Sequence, residues 1–441
     1  MSAETNQLLD DCYDQSLELL REVSSPDGFL ASSAFDHYRV VWGRDAAITA
    51  LGALTTDEDR LIETSVRTLR TLSRSRSTAG QVAAVVRPEQ GNWDFGEGGA
   101  VDVTAWYVML ADSAVTRTGD MSLAREIWPT VAQAMRWLQA QDVTGTGLLS
   151  CAPATDWMDS SLVRSGRTLH LNTLYHWAAK AAYRLAGRVG ADPAIDPADI
   201  AWRLNLLFWP DPNHEMESLL AGQPMSTVPS PFPHSAIVSS YREAAVIDRR
   251  HYVSHVVHSL FDENCDVLAN LVAVNAGPAE QEQATRILDV LDEEGAAEPF
   301  PTRSWLRPIG ADNSPHMRLT ADERHIDVRW RNEPWTYHNA AVWPYIGGFH
   351  VAALAYRGRK KRAEEVLRAL ARANLAGLGG ATWQFHEWLN GETGEPAGAA
   401  RQAWNAGAFV LAWNALHDPR HVDSVFVRGR EPRTPEPRLY A

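Results

Sequence analysis

Lysine is almost missing from this chain: Lys180, Lys360 and Lys361 are the only three, and Arg supplies the rest of its 41 basic residues. The bias carries no catalytic information, but the scarcity of clustered cations and a net charge of −14 exclude a nucleic-acid backbone as partner. Cysteine is as scarce. Cys12, Cys151 and Cys265 lie too far apart for a disulfide framework or a CxxC zinc pair, and each reads as a small buried apolar residue. Long apolar runs are also lacking: "AAVWPYIGGFHVAALAY" is broken by Pro, Gly and His, and no run reaches the roughly 20 residues of a membrane span. The start, "MSAETNQLLDDCYDQSLELLREV", is acidic and amphipathic, unlike the basic-then-apolar pattern of a signal peptide. Together these absences predict a soluble, cytoplasmic protein with no membrane or nucleic-acid partner.

What is present is helical periodicity. Apolar recurrence at three and four residues, ended by cap signals, predicts helices near 5–23, 44–55, 58–76, 102–117, 121–141, 170–187, 197–208, 263–275, 279–294, 338–356, 359–375 and 398–416. Short connections such as "RTGDMSLAREIW" and "AYRGRKKRAEEVL" join several of them into pairs, which suits an α-solenoid or a closed α/α barrel. The long connections decide. Segments 77–101, 142–169, 209–262, 295–337 and 376–397 differ in sequence and show no period, so they read as functional loops converging on one end of a barrel. One domain over 1–441 is expected, with 425–441 a Pro-rich C-terminal arm.

Tryptophan is abundant, at 17 of 441 residues. Trp93, Trp106, Trp157, Trp305, Trp330, Trp335, Trp343, Trp383, Trp388 and Trp404 fall in or beside the long connections. A single Trp reads equally well as core filler, whereas a group of indoles beside carboxylates suits the C–H faces of sugar rings. Glycoside hydrolysis needs one protonated carboxyl and one carboxylate. "TDWMDSS", 155–161, offers Asp156 and Asp159 around Trp157 and Met158, apolar neighbours that would raise a carboxyl's pKa; the plainer reading is an Asx turn. "WQFHEWLNGETGEPAG", 383–398, offers Glu387 between His386 and Trp388, or else a solvated loop acid. "YRVVWGRDAAITAL" puts Arg44 and Asp45 behind Trp42 at a helix start, as a cap or as partners for vicinal hydroxyls. Asp102 has the same two readings, with Trp106 one turn on. "EPWTYHNAAVWPYIGG" gathers Trp335, Tyr337, His338, Asn339 and Trp343; no second His stands at ligand spacing from His338, so no metal is expected.

In combination these stretches resemble the six-hairpin glycosidases. "EPWTYHNAAVWPYIGGFHVAAL" is similar to the PWSYHNGGSWP segment of neutral/alkaline invertases and the YHNGTVWPW segment of the α-1,6-glucosidase domain of glycogen debranching enzymes. "TDWMDSS" resembles their WMD and IDRRM motifs, "VDVTAWYV" their DATLWF and DSGLWW motifs, "WGRDAAI" an RDF-type motif, and "HEWLNGETGEPAGAARQAWNAGAFVLA" their terminal acid–Gly–QxW segment. The matches keep their order from about residue 38 to 416.

The resemblance implies an all-α (α/α)6 barrel and an inverting exo-glycosidase acting on an α-glucosidic bond of a small soluble saccharide, sucrose or another α-glucoside, without a cofactor. Asp159 falls on the family's general acid and Glu387 on its general base. Arg44, Asp45 and Asp102 fall on positions that hold the terminal glucosyl unit, and Tyr337, His338, Asn339, Trp343 and Gln402 on the rim. Trp42, Trp93, Trp106, Asp156, Trp157, His386 and Trp404 complete the expected substrate-binding set. Inversion would require the two carboxyls roughly 6.5–9.5 Å apart with a water between. By analogy with the invertases a homo-oligomer is expected. The chain departs from the family in "SSLVRSGRTLHLNTLY", where the family's Glu is replaced near His170 or Leu171; this stretch borders the leaving group, which therefore stays unspecified. Alternatives are an amylo-α-1,6-glucosidase or glucoamylase-like hydrolase of α-glucan oligosaccharides, a helical-barrel sugar epimerase or isomerase working through His170, His176, His255, His258, His338 and His386, and a non-catalytic sugar-binding barrel.

Overall fold

Two kinds of helix alternate along the chain. The computed structural model describes residues 3–96, 100–159, 162, 164–193, 195–213, 233–310, 312–314 and 333–428. Within them the helices are α1 (Ala3–Glu22), α2 (Gly43–Ala53), α3 (Asp59–Arg74), α4 (Val101–Thr118), α5 (Met121–Gln139), α6 (Leu169–Val189), α7 (Pro197–Phe208), α8 (Pro233–Ala244), α9 (Val267–Ala276), α10 (Gln281–Glu293), α11 (Pro344–Tyr356), α12 (Lys360–Leu375), α13 (Ala403–His417) and α14 (Arg420–Val425). Helices α3, α5, α10 and α12 bury one stripe and expose the other, as the wall of a globule does. Helices α2, α4, α9, α11 and α13 are rich in Ala, Val and Gly and buried nearly all round. A helix apolar on every face must be enclosed by others.

Contacts between elements show how. Helices α2, α4, α6, α9, α11 and α13 each touch the next and α13 touches α2, closing an inner ring; α1, α3, α5, α7, α10 and α12 lie against it from outside. This is an (α/α)6 barrel. Part of its wall depends on missing side chains: a Cβ on Gly52 would run into the carbonyl of Gly407, so α2 and α13 approach backbone to backbone. At one end the links are short, 54–58, 119–120, 190–196, 277–280 and 357–359; at the other, long segments lead from each outer helix into the N-terminus of the next inner helix.

Short strands stiffen the long-loop end. Val41–Trp42, Val85–Arg87 and Asn92–Asp94 pair antiparallel, as do Arg167–Thr168, His255–Val257 and Leu260–Asp262, and Trp388–Leu389 pairs with Pro396–Ala397. The short-link end is plugged instead. Phe426 lies 5.0 Å from the ring of Trp177 and 5.9 Å from that of Phe349, and Trp177 Nε1 donates to Val425 O at 3.1 Å. So Val425–Arg428, the start of the predicted arm, packs onto the barrel; 429–441 lie outside the described residues.

The twelve predicted helices all occur, with three corrections at their starts. The one expected from 338 begins at Pro344, because Trp335, Tyr337 and Ala340 adopt positive φ and break the helical path. Those expected from 263 and 398 begin at Val267 and Ala403, after the N-caps Asp266 and Gln402. Helices α8 and α14 have no counterpart in the apolar periodicity. Among the described residues, no helix is long and apolar enough to cross a membrane.

Candidate active site

The long-loop end brings six helix N-termini together, and with them the positive ends of their dipoles, a setting favourable to anions. Arg44 and Asp45 lie in the first turn of α2, Asp102 in that of α4 and His170 in that of α6, while Trp343 and Gln402 directly precede α11 and α13. Arg44 grips Asp102 with two parallel bonds, Nε to Oδ2 at 2.7 Å and Nη2 to Oδ1 at 2.9 Å. Burial disfavours the Asp102 anion, but Arg44 more than offsets it and holds the carboxyl well below its usual pKa. His170 Nε2 stands 3.7 Å from the same carboxylate. Asp102 thus fixes Arg44, whose Nη1 is left 3.9 Å from Asp159 Oδ2.

The loop carrying Asp159 is anchored residue by residue. Thr155 O accepts from Val101 N at 2.7 Å, tying it to the start of α4. Asp156 Oδ1 accepts from Met158 N at 2.9 Å, and its Oδ2 accepts from Arg164 Nε at 2.8 Å. Trp157 packs edge-on against His338 at 5.1 Å and Trp343 at 5.4 Å, and Met158 is fully buried. Only then does a side chain emerge: Asp159 is 49% exposed. Water reaches its carboxyl from one side while protein surrounds the rest. That partial desolvation raises its pKa to about 6, opposed by Arg44 and reinforced by Asp102 and Asp156.

Glu387 is held differently. It is 8% exposed; its Oε2 accepts from Ala399 N at 3.1 Å and its Oε1 from the Tyr38 hydroxyl at 3.3 Å. Gly398, at φ +69°, lets the chain pass so closely that a Cβ there would collide with Glu387 Oε2. Burial raises the Glu387 pKa, the Ala399 N–H and Tyr38 hydroxyl oppose the rise, and Asp159 adds to it. Asp45 is pushed up to about 7, chiefly by burial, with Arg44 opposing and Glu387 and Asp159 contributing. Three carboxyls therefore share one neighbourhood, and like charges so placed cannot all ionise at their ordinary pKa values.

Aromatic rings surround them. Tyr337 lies 4.1 Å from His338, 5.3 Å from Trp343 and 6.1 Å from Trp388, while Tyr345 and Trp404 stack at 4.5 Å. Burial, then the charges of Asp159 and Glu387, raise the pKa of the Tyr337 hydroxyl well above its ordinary value. The turn bearing it holds Trp335, Tyr337 and Ala340 at positive φ, a strain of the kind that clusters at functional sites. The indole N–H groups of Trp42, Trp157 and Trp404 and both ends of the Gln402 amide have no hydrogen-bond partner among the described residues. His386, also buried, has its pKa lowered by desolvation. Such a set can protonate a leaving oxygen, deprotonate a water and hydrogen-bond hydroxyls.

Four expected substrate contacts engage protein in the structure or lie apart. Asp156 is taken up by Arg164, Trp106 packs inside the barrel against Trp177 at 5.7 Å and Phe349 at 6.2 Å, and Asn339 holds Ile309 through bonds of 2.6 and 3.1 Å to its N and O. Trp93 is 45% exposed on an outer strand. Trp330 lies outside the described residues. The histidines do not form one group: His176 is buried in α6 with its pKa lowered to about 3 by desolvation, His255 contacts Ser254, and His258 is exposed beside Ser259. No group of three or more His, Cys, Asp or Glu suited to a metal occurs among the described residues. Sequence reasoning passed over Tyr38, Arg164, Asp266 and Gly398. Tyr38 and Gly398 lie inside motifs already singled out, and a Tyr four residues before Trp42 was the available signal.

Comparison with known proteins agrees with this architecture. The chain is 24% identical over 368 residues to probable alkaline/neutral invertase D of Arabidopsis thaliana, covering 76% of this chain and 64% of that one. It is also 24% identical over 370 residues to cytosolic invertase 1 of Oryza sativa subsp. japonica, covering 75% and 60%. The chain thus spans less than two thirds of the length of these relatives. Among solved structures, a GH63 mannosylglycerate hydrolase from Thermus thermophilus, in complex with Tris and D-glycerate, superposes with TM-score 0.61 at 16% identity, over 91% of this chain and 100% of that one. A GH78 family rhamnosidase of Bacillus sp. GL1 gives TM-score 0.55 at 16% identity, over 92% and 34%. At these identities the likeness is one of fold. Residues 15–411 match the amylo-alpha-1,6-glucosidase family, and with most of its length so matched the chain belongs to that family of six-hairpin glycosidases.

Proposed function

We propose that this protein is an inverting, exo-acting glycoside hydrolase that cleaves an α-glucosidic bond in a small soluble saccharide. The observation that carries the reading is the contrast between its two acids. Asp159 is half exposed with its pKa raised to about 6, as suits a general acid; Glu387 is buried and held by a backbone N–H and a tyrosine, as suits a fixed base. Glu387 takes a proton from water as the water oxygen bonds to the anomeric carbon. The glycosidic C–O bond breaks, and the Asp159 proton goes to the departing oxygen. The products are a β-sugar and a free alcohol; solvent then returns Asp159 and Glu387 to their starting protonation states. In this reading Arg44, Asp45 and the unpartnered donors of Trp42, Trp157, Trp404 and Gln402 bind the glucosyl unit, and the rings of Tyr337, His338 and Trp343 frame it.

Sucrose is favoured by the invertase relatives, and an α-1,6-linked oligosaccharide by the family match; this is the second reading. A cytoplasmic location belongs to the same proposal, supported by the name of the rice relative. The test is incubation with sucrose, isomaltose, maltose, trehalose and glucosylglycerate, with proton NMR of the first anomer released. Release of β-glucose from one of them, abolished in Asp159→Asn with folding retained, is expected. An α-product excludes inversion, and release from none of them defeats the reading.

A further inference from the structure

Behind the acid loop lies a charged group that the mechanism above does not use. Arg164 sits between two carboxylates. Its Nε and Nη2 stand 2.8 and 2.7 Å from Asp156 Oδ2, and its Nη1 stands 2.5 Å from Asp266 Oδ2. All three side chains are buried. Asp266 is the N-cap of α9, its Oδ1 accepting from Ala269 N at 2.9 Å, so the triad bolts the loop to an inner helix 102 residues further along the chain. Arg164 is further braced by the ring of Trp305, 5.8 Å from its guanidinium carbon.

One buried guanidinium thus serves two buried carboxyl groups. Stability alone gives little reason to keep such a buried group, since apolar packing of equal volume is often as stable or more so. The geometry indicates another purpose. Asp156 is three residues before Asp159, and its second oxygen fixes the intervening backbone at Met158 N. We infer that the Asp156–Arg164–Asp266 triad is a positioning device for Asp159, aiming its carboxyl at the leaving oxygen. This rests on the reading of Asp159 as general acid.

Other charges face Asp159 too. Arg44 and Asp45 reach it from α2 and Asp102 from α4, with Tyr38, Tyr337 and Glu387 on neighbouring loops. Of these, Arg44 is already matched by Asp102. Asp156, the near end of the triad, acts on Asp159 in the direction of a higher pKa. Removing its charge therefore lowers the pH at which the acid loses its proton.

The test is Asp156→Asn, which leaves Arg164 paired with Asp266 and so avoids stranding a buried charge. Two substrates separate its effects: an unactivated α-glucoside that the wild type hydrolyses, and α-glucosyl fluoride, whose fluoride leaves without a proton from the enzyme. We expect kcat on the glucoside to fall about 10²-fold and its alkaline limb to move down by about half a pH unit, with fluoride release within about threefold of wild type. Asp159→Asn should show the same split more strongly. An Asp156→Asn enzyme that loses both substrates alike, or keeps both with an unmoved limb, overturns the triad's role while leaving Asp159 as the acid. An Asp159→Asn enzyme that still hydrolyses the glucoside overturns both.

Discussion

The two ends of the barrel are built from the same twelve helices and have opposite character. Side-chain caps occur at both: Asp120 accepts from Ser122 N and Leu123 N and Asp196 from Ala198 N at the short-link end, as Thr168 does from Leu171 N and Asp266 from Ala269 N at the other. At the short-link end Phe426 and its neighbours fill the opening with apolar surface. At the long-loop end the helix starts carry Arg44, Asp45 and Asp102, the turns hold non-glycine residues at positive φ, and buried indole and amide groups stand without protein partners among the described residues. Isolated cases occur at the plugged end too, in Ser113 Oγ and in Val427 at positive φ, but it is at the loop end that carboxyls, indoles and an amide of this kind gather, polar groups and strain that folding alone does not reward. The difference is the physical argument for where the chemistry lies.

If so, substitutions at the loop end should change turnover with modest loss of stability, and those at the plugged end the reverse. Gly398→Ala is expected to act most strongly. Its Cβ would collide with Glu387 Oε2, displacing the base, so kcat should fall by about 10²-fold or more while thermal unfolding shows a loss of about 1–3 kcal/mol. Tyr38→Phe should be milder, with a drop of about tenfold. The hydroxyl lowers the Glu387 pKa, so without it the acidic limb of the pH–rate profile should move upward while the alkaline limb, set by Asp159 near pH 6, stays in place. An unmoved acidic limb would deny Tyr38 its contact with the base. Phe426→Ala should leave turnover per folded molecule unchanged and destabilise the barrel by about 3–5 kcal/mol in denaturant titration. A loss of turnover with unchanged stability there would erase the distinction between the ends.

Legibility from sequence follows the same division. The outer helices were readable because one-sided burial imposes a period of 3.6 on them, and the inner ones, apolar on nearly every face as in α11, because cap and turn signals bound their apolar runs. Asp159 and Glu387 stood out as candidates, the first beside Trp157 and Met158 and the second between His386 and Trp388, and burial raises the pKa of both. What escaped notice depends on contacts between distant segments. Nothing near Arg164 announces Asp266, 102 residues on, and nothing near Tyr38 announces Glu387, 349 residues on. Trp106 falls in the expected substrate-binding set, but one turn beyond Asp102 it packs inside the barrel, against Trp177 and Phe349. The start of α11 was placed too early because apolar periodicity cannot register the backbone reversal at Trp335–Ala340.

The one-sided placement of the long connections also bears on how such a molecule tolerates change. Closing a flexible loop twice as long costs only about 0.6 kcal/mol more, little beside the packing of a twelve-helix scaffold. Between their fixed points such segments can therefore lengthen or shorten almost independently of the ring, provided Tyr38, Asp156, Asp159, Arg164, Glu387 and Gly398 stay in place. Loop stretches transplanted from a homologue with a different aglycone should then carry that preference with them, leaving Asp159, Glu387, the Arg44–Asp102 pair and the inner ring as the invariant mount.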